Sequence, residues 1–125
     1  MENVGKTFSV NAIAKILKSN GCSLLVEAVY NHMNWLEKAF VIYCRQRYDL
    51  QGKYVLKTQE KFYLADASLK YCIMGFDPNS IEDMLENIVY FEFRRRGYEI
   101  YIGKNETKEI DFVAVQRDKY IYTQV

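Results

Sequence analysis

Two acidic residues and one amide residue in the second half of the chain have types and spacing suited to metal binding. Glu86 falls in a predicted helix, Asp111 follows twenty-five residues later in a predicted strand, and Gln124 ends the next predicted strand. Acidic groups that converge at a sheet edge can hold Mg²⁺, and a bound metal can activate water against a phosphodiester. The spacing alone equally fits carboxylates that are solvated on the surface.

The strand pattern around Asp111 predicts which side chains share a face. Strict alternation sends one set of residues to one face (Ile110, Phe112, Ala114) and the other set to the opposite face (Glu109, Asp111, Val113). Glu86 lies beside Leu85 and near the apolar stripe of its helix, where a carboxylate needs a partner or a metal. We therefore expect Glu86 and Asp111 to approach each other at the rim of a small sheet.

Composition and charge limit the classes of protein to which this chain can belong. Half of the 125 residues are hydrophobic and only one is proline, which excludes a disordered segment. No stretch is long and apolar enough for a membrane helix and no signal peptide is evident, so we expect a cytoplasmic protein. Residues 1–75 carry ten Lys/Arg against six Asp/Glu, and residues 76–125 carry seven against ten. A mildly basic front and an acidic back suit two modules.

The first 75 residues have the pattern of a winged helix. Ser9 is a good N-cap for a helix that ends at Asn20-Gly21, and Ser23 is placed to cap a second helix over residues 24–40. We expect the apolar stripe of that second helix to face the core (Leu25, Ala28, Val29, Leu36, Ala39, Phe40). Strand-like residues 41–48, a glycine-bearing turn and residues 54–56 and 61–64 then predict a hairpin.

Polar residues on this module are candidates for nucleic-acid binding. Asn31 and Asn34 on the second helix can read adenine edges, and Lys38, with Lys53 and Lys57 on the wing, can meet phosphates. The same surface alternatively packs against a partner protein.

Residues 76–125 form the second predicted module. Gly75 to Ser80 is the clearest break in the chain, and residues 81–96 read as a long helix followed by Gly97 at the expected C′ position. We expect its apolar stripe to be buried (Ile81, Leu85, Ile88, Val89, Glu92, Phe93). Three strands follow at residues 98–102, 109–115 and 120–125, so the module looks cut short and the fold class is α+β.

Gly5-Lys6-Thr7 matches only the tail of a phosphate-binding P-loop. The leading glycine and the preceding apolar strand are both missing, so we expect no ATP hydrolysis by this chain.

Six segments together resemble, in order, the C-terminal region of bacterial and archaeal AAA-family ATPases. They are residues 48–53, 61–66, 85–92, 95–99, 109–114 and 124–125. The resemblance implies an ATPase core, then a winged helix (residues 1–75 here), then a PD-(D/E)XK-nuclease-like domain with a restriction-endonuclease-like fold, of which residues 76–125 are the first part.

The resemblance also implies roles for individual residues. Glu86 is the helix acid, Asp111 is the metal-binding acid, and Gln124 takes the first position of the (E/Q)-x-K element. The lysine of that element would lie two residues after Gln124, outside this sequence, so we expect no cleavage by this chain. The implied metal is Mg²⁺ or Mn²⁺, held by Asp111 and Glu86, and ATP enters only through the ATPase domain.

These observations lead to one expected function and two alternatives. We expect a nucleic-acid-binding regulatory module of an ATPase, with DNA and the parent's ATPase domain as partners, no membrane partner, and scope for a homo-oligomer. The alternatives are a protein-interaction scaffold that positions the ATPase core and a free-standing winged-helix transcription regulator.

Overall fold

The computed structural model describes residues 7–50, 54–105 and 108–125, with the backbone alone at residues 7, 8, 54, 56–59, 105 and 108. The chain has a mixed α+β fold. Its elements are β1 (Thr7–Phe8), α1 (Val10–Ser19), α2 (Val26–Lys38), β2 (Ile42–Asp49), β3 (Tyr54–Leu64), α3 (Ser68–Met74), a 3₁₀ turn (Pro78–Ser80), α4 (Ile81–Arg95), β4 (Glu99–Asn105), β5 (Lys108–Gln116) and β6 (Lys119–Thr123).

The strands form one mixed sheet in the order β1-β3-β2-β4-β5-β6. Strands β2 and β4 pair in parallel, from Arg47 opposite Ile102 to Asp49 opposite Lys104, whereas the other neighbours are antiparallel. The β2–β3 hairpin predicted as a wing therefore continues directly into the sheet of the second half. The division into modules at residue 75 stays a prediction, although the sheet is continuous across it.

Alternation in β3 assigns the helices to opposite faces of the sheet. Phe62 and Leu64 pack in a cluster with Ile42 and with Met33 of α2, and Tyr63 packs in a different cluster with Tyr90 of α4. Because successive strand residues point to opposite faces, α2 covers one face and α4 covers the other. The α4 side holds the larger core, formed by Tyr63, Tyr90, Ile100, Ile102 and Phe112.

The helix ends follow the sequence signals only in part. The Ser9 side chain accepts a hydrogen bond from the Ala12 N–H, as expected of an N-cap, and Gly97 has the positive φ of a C′ residue. The expectation that Ser23 caps α2 is wrong, because the helix begins at Val26 with Leu25 at its N-cap position and no side-chain cap. Leu25, Leu36 and Phe40 are exposed, and Val29 is the buried residue of α2.

The buried face of α4 also differs from the prediction. Ile81, Leu85 and Ile88 are exposed, each by close to half or more of its surface. The helix instead buries Met84, Glu86, Asn87 and Tyr90. Val89 and Phe93 of the predicted stripe do pack against the core, but the prediction is wrong for Ile81, Leu85 and Ile88. Glu86 and Asn87 are buried in their place because they find polar partners in the sheet.

A β-bulge in β5 overturns the strict alternation expected around Asp111. Tyr101 pairs with Val113 and Gly103 pairs with Ile110, so Asp111 and Phe112 together lie opposite the single residue Ile102. A bulge lets two consecutive side chains project to the same side of a sheet. Phe112 packs in the core with Tyr90 of α4, and Asp111 contacts the same side of the sheet through Lys61.

Among the described residues, no helix is long and apolar enough to cross a membrane.

Candidate functional site

Three carboxylates surround the ammonium group of Lys61 on the α4 side of the sheet. Its Nζ lies 2.9 Å from Glu86 Oε1, 2.8 Å from Glu109 Oε1 and 3.6 Å from Asp111 Oδ1. Only 4% of the Lys61 side chain is exposed. We refer to Lys61, Glu86, Glu109 and Asp111 as the Lys61 cluster. The expected approach of Glu86 and Asp111 thus takes place through a shared lysine.

Asp111 is held from its other side by the end of the chain. Its Oδ2 accepts a hydrogen bond from Gln124 Nε2 at 2.6 Å and from the Val125 N–H at 2.9 Å. Glu86, Asp111 and Gln124 are therefore joined in one polar network, with Lys61 between the first two. Since Gln124 donates through its amide nitrogen, it neutralises no charge but fixes the orientation of the carboxylate.

Glu86 has a second partner in Tyr63, whose hydroxyl donates to Glu86 Oε1 at 2.8 Å. Burial raises the pKa of Tyr63 well above its usual value, and the Glu86 charge raises it further, so the hydroxyl stays a donor. Burial also raises the pKa of Glu86, although Lys61 and the Tyr63 hydrogen bond oppose that rise. The site can therefore hold an extra proton on Glu86 more easily than an exposed glutamate can.

Arg47 extends the cluster at its outer side by pairing with the other oxygen of Glu109. Counting Lys61 and Arg47 as +1 each and the three carboxylates as −1 each gives a formal charge of −1. Ion pairs in a poorly hydrated site are strong only when geometry and hydrogen bonds satisfy each group. Here each carboxylate has at least one cationic partner.

The residues expected to contact nucleic acid lie away from the cluster. Asn31, Asn34 and Lys38 are exposed on α2, which covers the opposite face of the sheet. Asn31 and Asn34 line a cavity of about 270 Å³ whose charged lining residues are Glu37 and Glu60. Lys53 and the side chain of Lys57 lie outside the described residues.

Sequence reasoning missed Lys61, Tyr63 and Arg47 as site residues. The available signal was the alternation of β3, which places Lys61 and Tyr63 on one face and Phe62 and Leu64 on the other. A lysine on a strand face that also carries a buried tyrosine needs an anionic partner. The identity of that partner depends on the packing of α4.

The divalent metal that the resemblance implies does not fit this arrangement. The space between Glu86 and Asp111 is filled by the Lys61 ammonium, whereas Mg²⁺ requires oxygen ligands at roughly 2.0–2.1 Å in an octahedron. Within the described ranges, no group of three or more His, Cys, Asp or Glu residues is arranged to hold a metal ion.

The fold and the cluster define a mixed α+β module whose two halves are joined by one sheet and a buried lysine–carboxylate network. The chain belongs to the family described as Domain of unknown function (DUF8612), whose model matches residues 1–80.

Two relatives match most of the chain. It is 36% identical over 124 residues to a protein from Haemophilus influenzae named "Uncharacterized protein", with 99% of this chain and 31% of that protein covered. It is 26% identical over 115 residues to "Uncharacterized protein MJ1544" from Methanocaldococcus jannaschii, with 89% of this chain and 25% of that protein covered. The chain therefore spans about a third or less of these relatives. No solved structure matches it.

Proposed function

We propose that this chain is an interaction region of an AAA-family ATPase, which positions the ATPase core through the α1–α2 segment. In this proposal residues 1–75 are a winged-helix module and residues 76–125 are the first part of a nuclease-like module that does not cleave. The resemblance of six ordered segments to the C-terminal region of such ATPases supports the class of parent protein.

The observation that carries the proposal is the apolar surface of the α1–α2 segment. Eight large hydrophobic residues between positions 16 and 40 are exposed: Ile16, Leu24, Leu25, Val26, Tyr30, Trp35, Leu36 and Phe40. Trp35 is 60% exposed and Phe40 is 68% exposed. Aromatic residues are enriched at protein interfaces, so the exposure of Tyr30, Trp35 and Phe40 favours an interaction surface. A basic DNA-binding surface would instead concentrate lysine and arginine.

The occupant we propose for this surface is the ATPase core of the same polypeptide. In each of the two relatives, the part outside the match to this chain is at least twice as long as the matched part. A covering domain within one polypeptide benefits from a high effective concentration, so the contact need not be strong in isolation.

Hydroxyl-radical footprinting tests this proposal on the full-length protein beside the 125-residue chain. We expect oxidation of Trp35 and Phe40 to be several-fold lower in the full-length protein, because the core excludes solvent from them. Ile88 on α4 is the comparison position, because its exposure does not depend on this surface. Equal oxidation of Trp35 in the two proteins would contradict the proposal.

DNA binding is the second candidate, and it has one observation in its favour. Asn31, Asn34 and Lys38 follow an i, i+3, i+7 spacing, which places them on one exposed face of α2. A gel-shift titration of the full-length protein with duplex DNA tests it. Binding must weaken as salt rises, and Lys38→Ala must reduce that salt dependence. Binding that is absent, or unaffected by the Lys38 change, excludes this use of α2.

A further inference from the structure

We infer that the Lys61 ammonium is the resident cation of the Lys61 cluster and that it excludes a divalent metal from the space between Glu86 and Asp111. This goes beyond the proposed function, because it assigns the chemistry of a buried site on the opposite face of the sheet from α2. It does not depend on whether the α1–α2 segment binds an ATPase core.

The donor and acceptor groups of the cluster match in number. A lysine ammonium has three N–H donors, and three carboxylates surround it at 2.8, 2.9 and 3.6 Å. The two shorter distances are those of charge-assisted hydrogen bonds, and the longest is that of an ion pair. A metal ion would be attracted to the same carboxylate oxygens and would bind them at shorter distances.

The remaining contacts of the carboxylates leave them committed to the protein. Glu86 Oε1 accepts from Tyr63 as well as from Lys61, and Asp111 Oδ2 accepts from Gln124 and from the backbone of Val125. A divalent ion beside Lys61 would place like charges within a few ångströms in a poorly hydrated site. Metal binding therefore requires that Lys61 leave the cluster.

Lys61 is not easily displaced, because its backbone lies inside the sheet. It pairs with Thr7 of β1 on one side and with Arg45 of β2 on the other. Its side chain is 4% exposed, so an alternative solvated position for the ammonium would need a change in packing. The Lys61 side chain is thus held in place by an interior strand of the sheet.

A Mn²⁺-binding series on the full chain tests this inference by calorimetry. We expect wild type to show no saturable site up to about 1 mM Mn²⁺, the range of weak protein sites. Lys61→Met removes the ammonium but keeps the length of the side chain, and it should bind one Mn²⁺ at least about tenfold more tightly than wild type. Lys61→Arg keeps a cation and should behave as wild type does. Lys61→Met/Asp111→Asn should lose the gained site.

Two results would overturn the inference. One is a single Mn²⁺ site in wild type that Asp111→Asn removes, because a metal would then coexist with Lys61. The other is a folded Lys61→Met variant that binds Mn²⁺ no better than wild type.

Counted together with Arg47, the cluster has a charge of −2 in Lys61→Met, so a second variant protects the test against unfolding. Lys61→Met/Glu109→Gln restores the wild-type charge of −1 and retains Glu86 and Asp111. We expect it also to bind Mn²⁺ at least about tenfold more tightly than wild type. The calorimetric titration of wild type needs no folded Lys61→Met variant, so it can by itself reveal a Mn²⁺ site that coexists with Lys61. Backbone NMR signals near Asp111 should not broaden when wild type is titrated with Mn²⁺, and selective broadening there would count against the inference.

Discussion

Asn87 of α4 hydrogen-bonds both backbone groups of Leu64 in β3. Its Oδ1 accepts from the Leu64 N–H at 2.9 Å, and its Nδ2 donates to the Leu64 carbonyl at 3.0 Å. Among the described residues, β1 pairs with β3 at Glu60 and Lys61. At Leu64, the Asn87 side chain makes the two backbone hydrogen bonds that a neighbouring strand would make. This pair of bonds, next to the Glu86–Lys61 ion pair, fixes α4 on the sheet.

We predict that Asn87→Ala lowers the free energy of unfolding by roughly 2–3 kcal/mol, because two buried backbone groups lose their partner. Urea unfolding followed by circular dichroism measures the change. Asn34→Ala, at an exposed asparagine of α2, is the matched control and should change stability by less than about 0.5 kcal/mol. Equal effects of the two substitutions would show that the Asn87 bonds contribute little.

The stacked pair Tyr63 and Tyr90 offers a matched test of buried hydroxyl groups. Both side chains are fully buried, with ring centroids 4.2 Å apart. The Tyr63 hydroxyl donates to the buried Glu86 carboxylate, whereas the Tyr90 hydroxyl lies beside the exposed cationic side chain of Arg94. Tyr63→Phe should cost roughly 1.5–3 kcal/mol, because it takes a hydrogen bond from a buried carboxylate, and Tyr90→Phe should cost less than about 1 kcal/mol. Thermal unfolding of both variants measures the two losses of stability. A larger loss for Tyr90→Phe than for Tyr63→Phe would contradict the prediction.

The raised pKa of Glu86 predicts a pH dependence of stability. The folded protein holds a proton on Glu86 more tightly than the unfolded chain does, since burial raises its pKa. Its contribution is therefore fully present below the unfolded pKa of about 4.3 and is lost as pH rises through the folded pKa. The stability of wild type relative to Glu86→Gln should fall as pH increases from about 4.3.

Urea unfolding at a series of pH values from acid to neutral measures that difference. Glu82→Gln, in the exposed first turn of the same helix, controls for the loss of a carboxylate from α4. A difference between wild type and Glu86→Gln that grows with pH would contradict the sign of the prediction.

Gly103 is required for the close contact of β4 with the bulged part of β5. A Cβ atom at this position would lie 2.9 Å from Ile110 Cβ and 2.9 Å from Val113 Cγ2. Both neighbours are β-branched and paired in the sheet, so they cannot move away easily. Gly103→Ala should destabilise the protein by roughly 1–3 kcal/mol.

Gly75→Ala provides the contrast for Gly103 in the same unfolding assay. An added Cβ at Gly75 meets no atom of the described residues within 4 Å, so its cost comes from the positive φ. If Gly103→Ala unfolds at the same denaturant concentration as wild type, the sheet accommodates the added methyl group and the prediction is wrong.

Several local features could be read from the sequence because short-range rules govern them. Ser9 begins α1, Gly97 ends α4, and the hairpin of β2 and β3 follows the two helices as predicted. The strand segments predicted separately at residues 54–56 and 61–64 form one continuous strand. These features depend on capping, turn chemistry and alternation within a few residues.

The candidate site was predictable only in outline. The types and spacing of Glu86, Asp111 and Gln124 indicated a convergence, and the structure brings the three into one network. The partner that joins the first two, Lys61, was not predictable from spacing, because it comes from a strand before the predicted module boundary. The bulge that turns Asp111 toward α4 depends on the pairing with β4.

The sequence by itself determined the succession of helices and strands and the residues that can carry charge. Only the tertiary structure decided that α4 buries Glu86 and Asn87 and exposes Ile81, Leu85 and Ile88. The physical reason is that a polar side chain can be buried favourably when another element supplies its partner. That partner lies more than twenty residues away in the chain, at Lys61 and Leu64, where local periodicity carries no information.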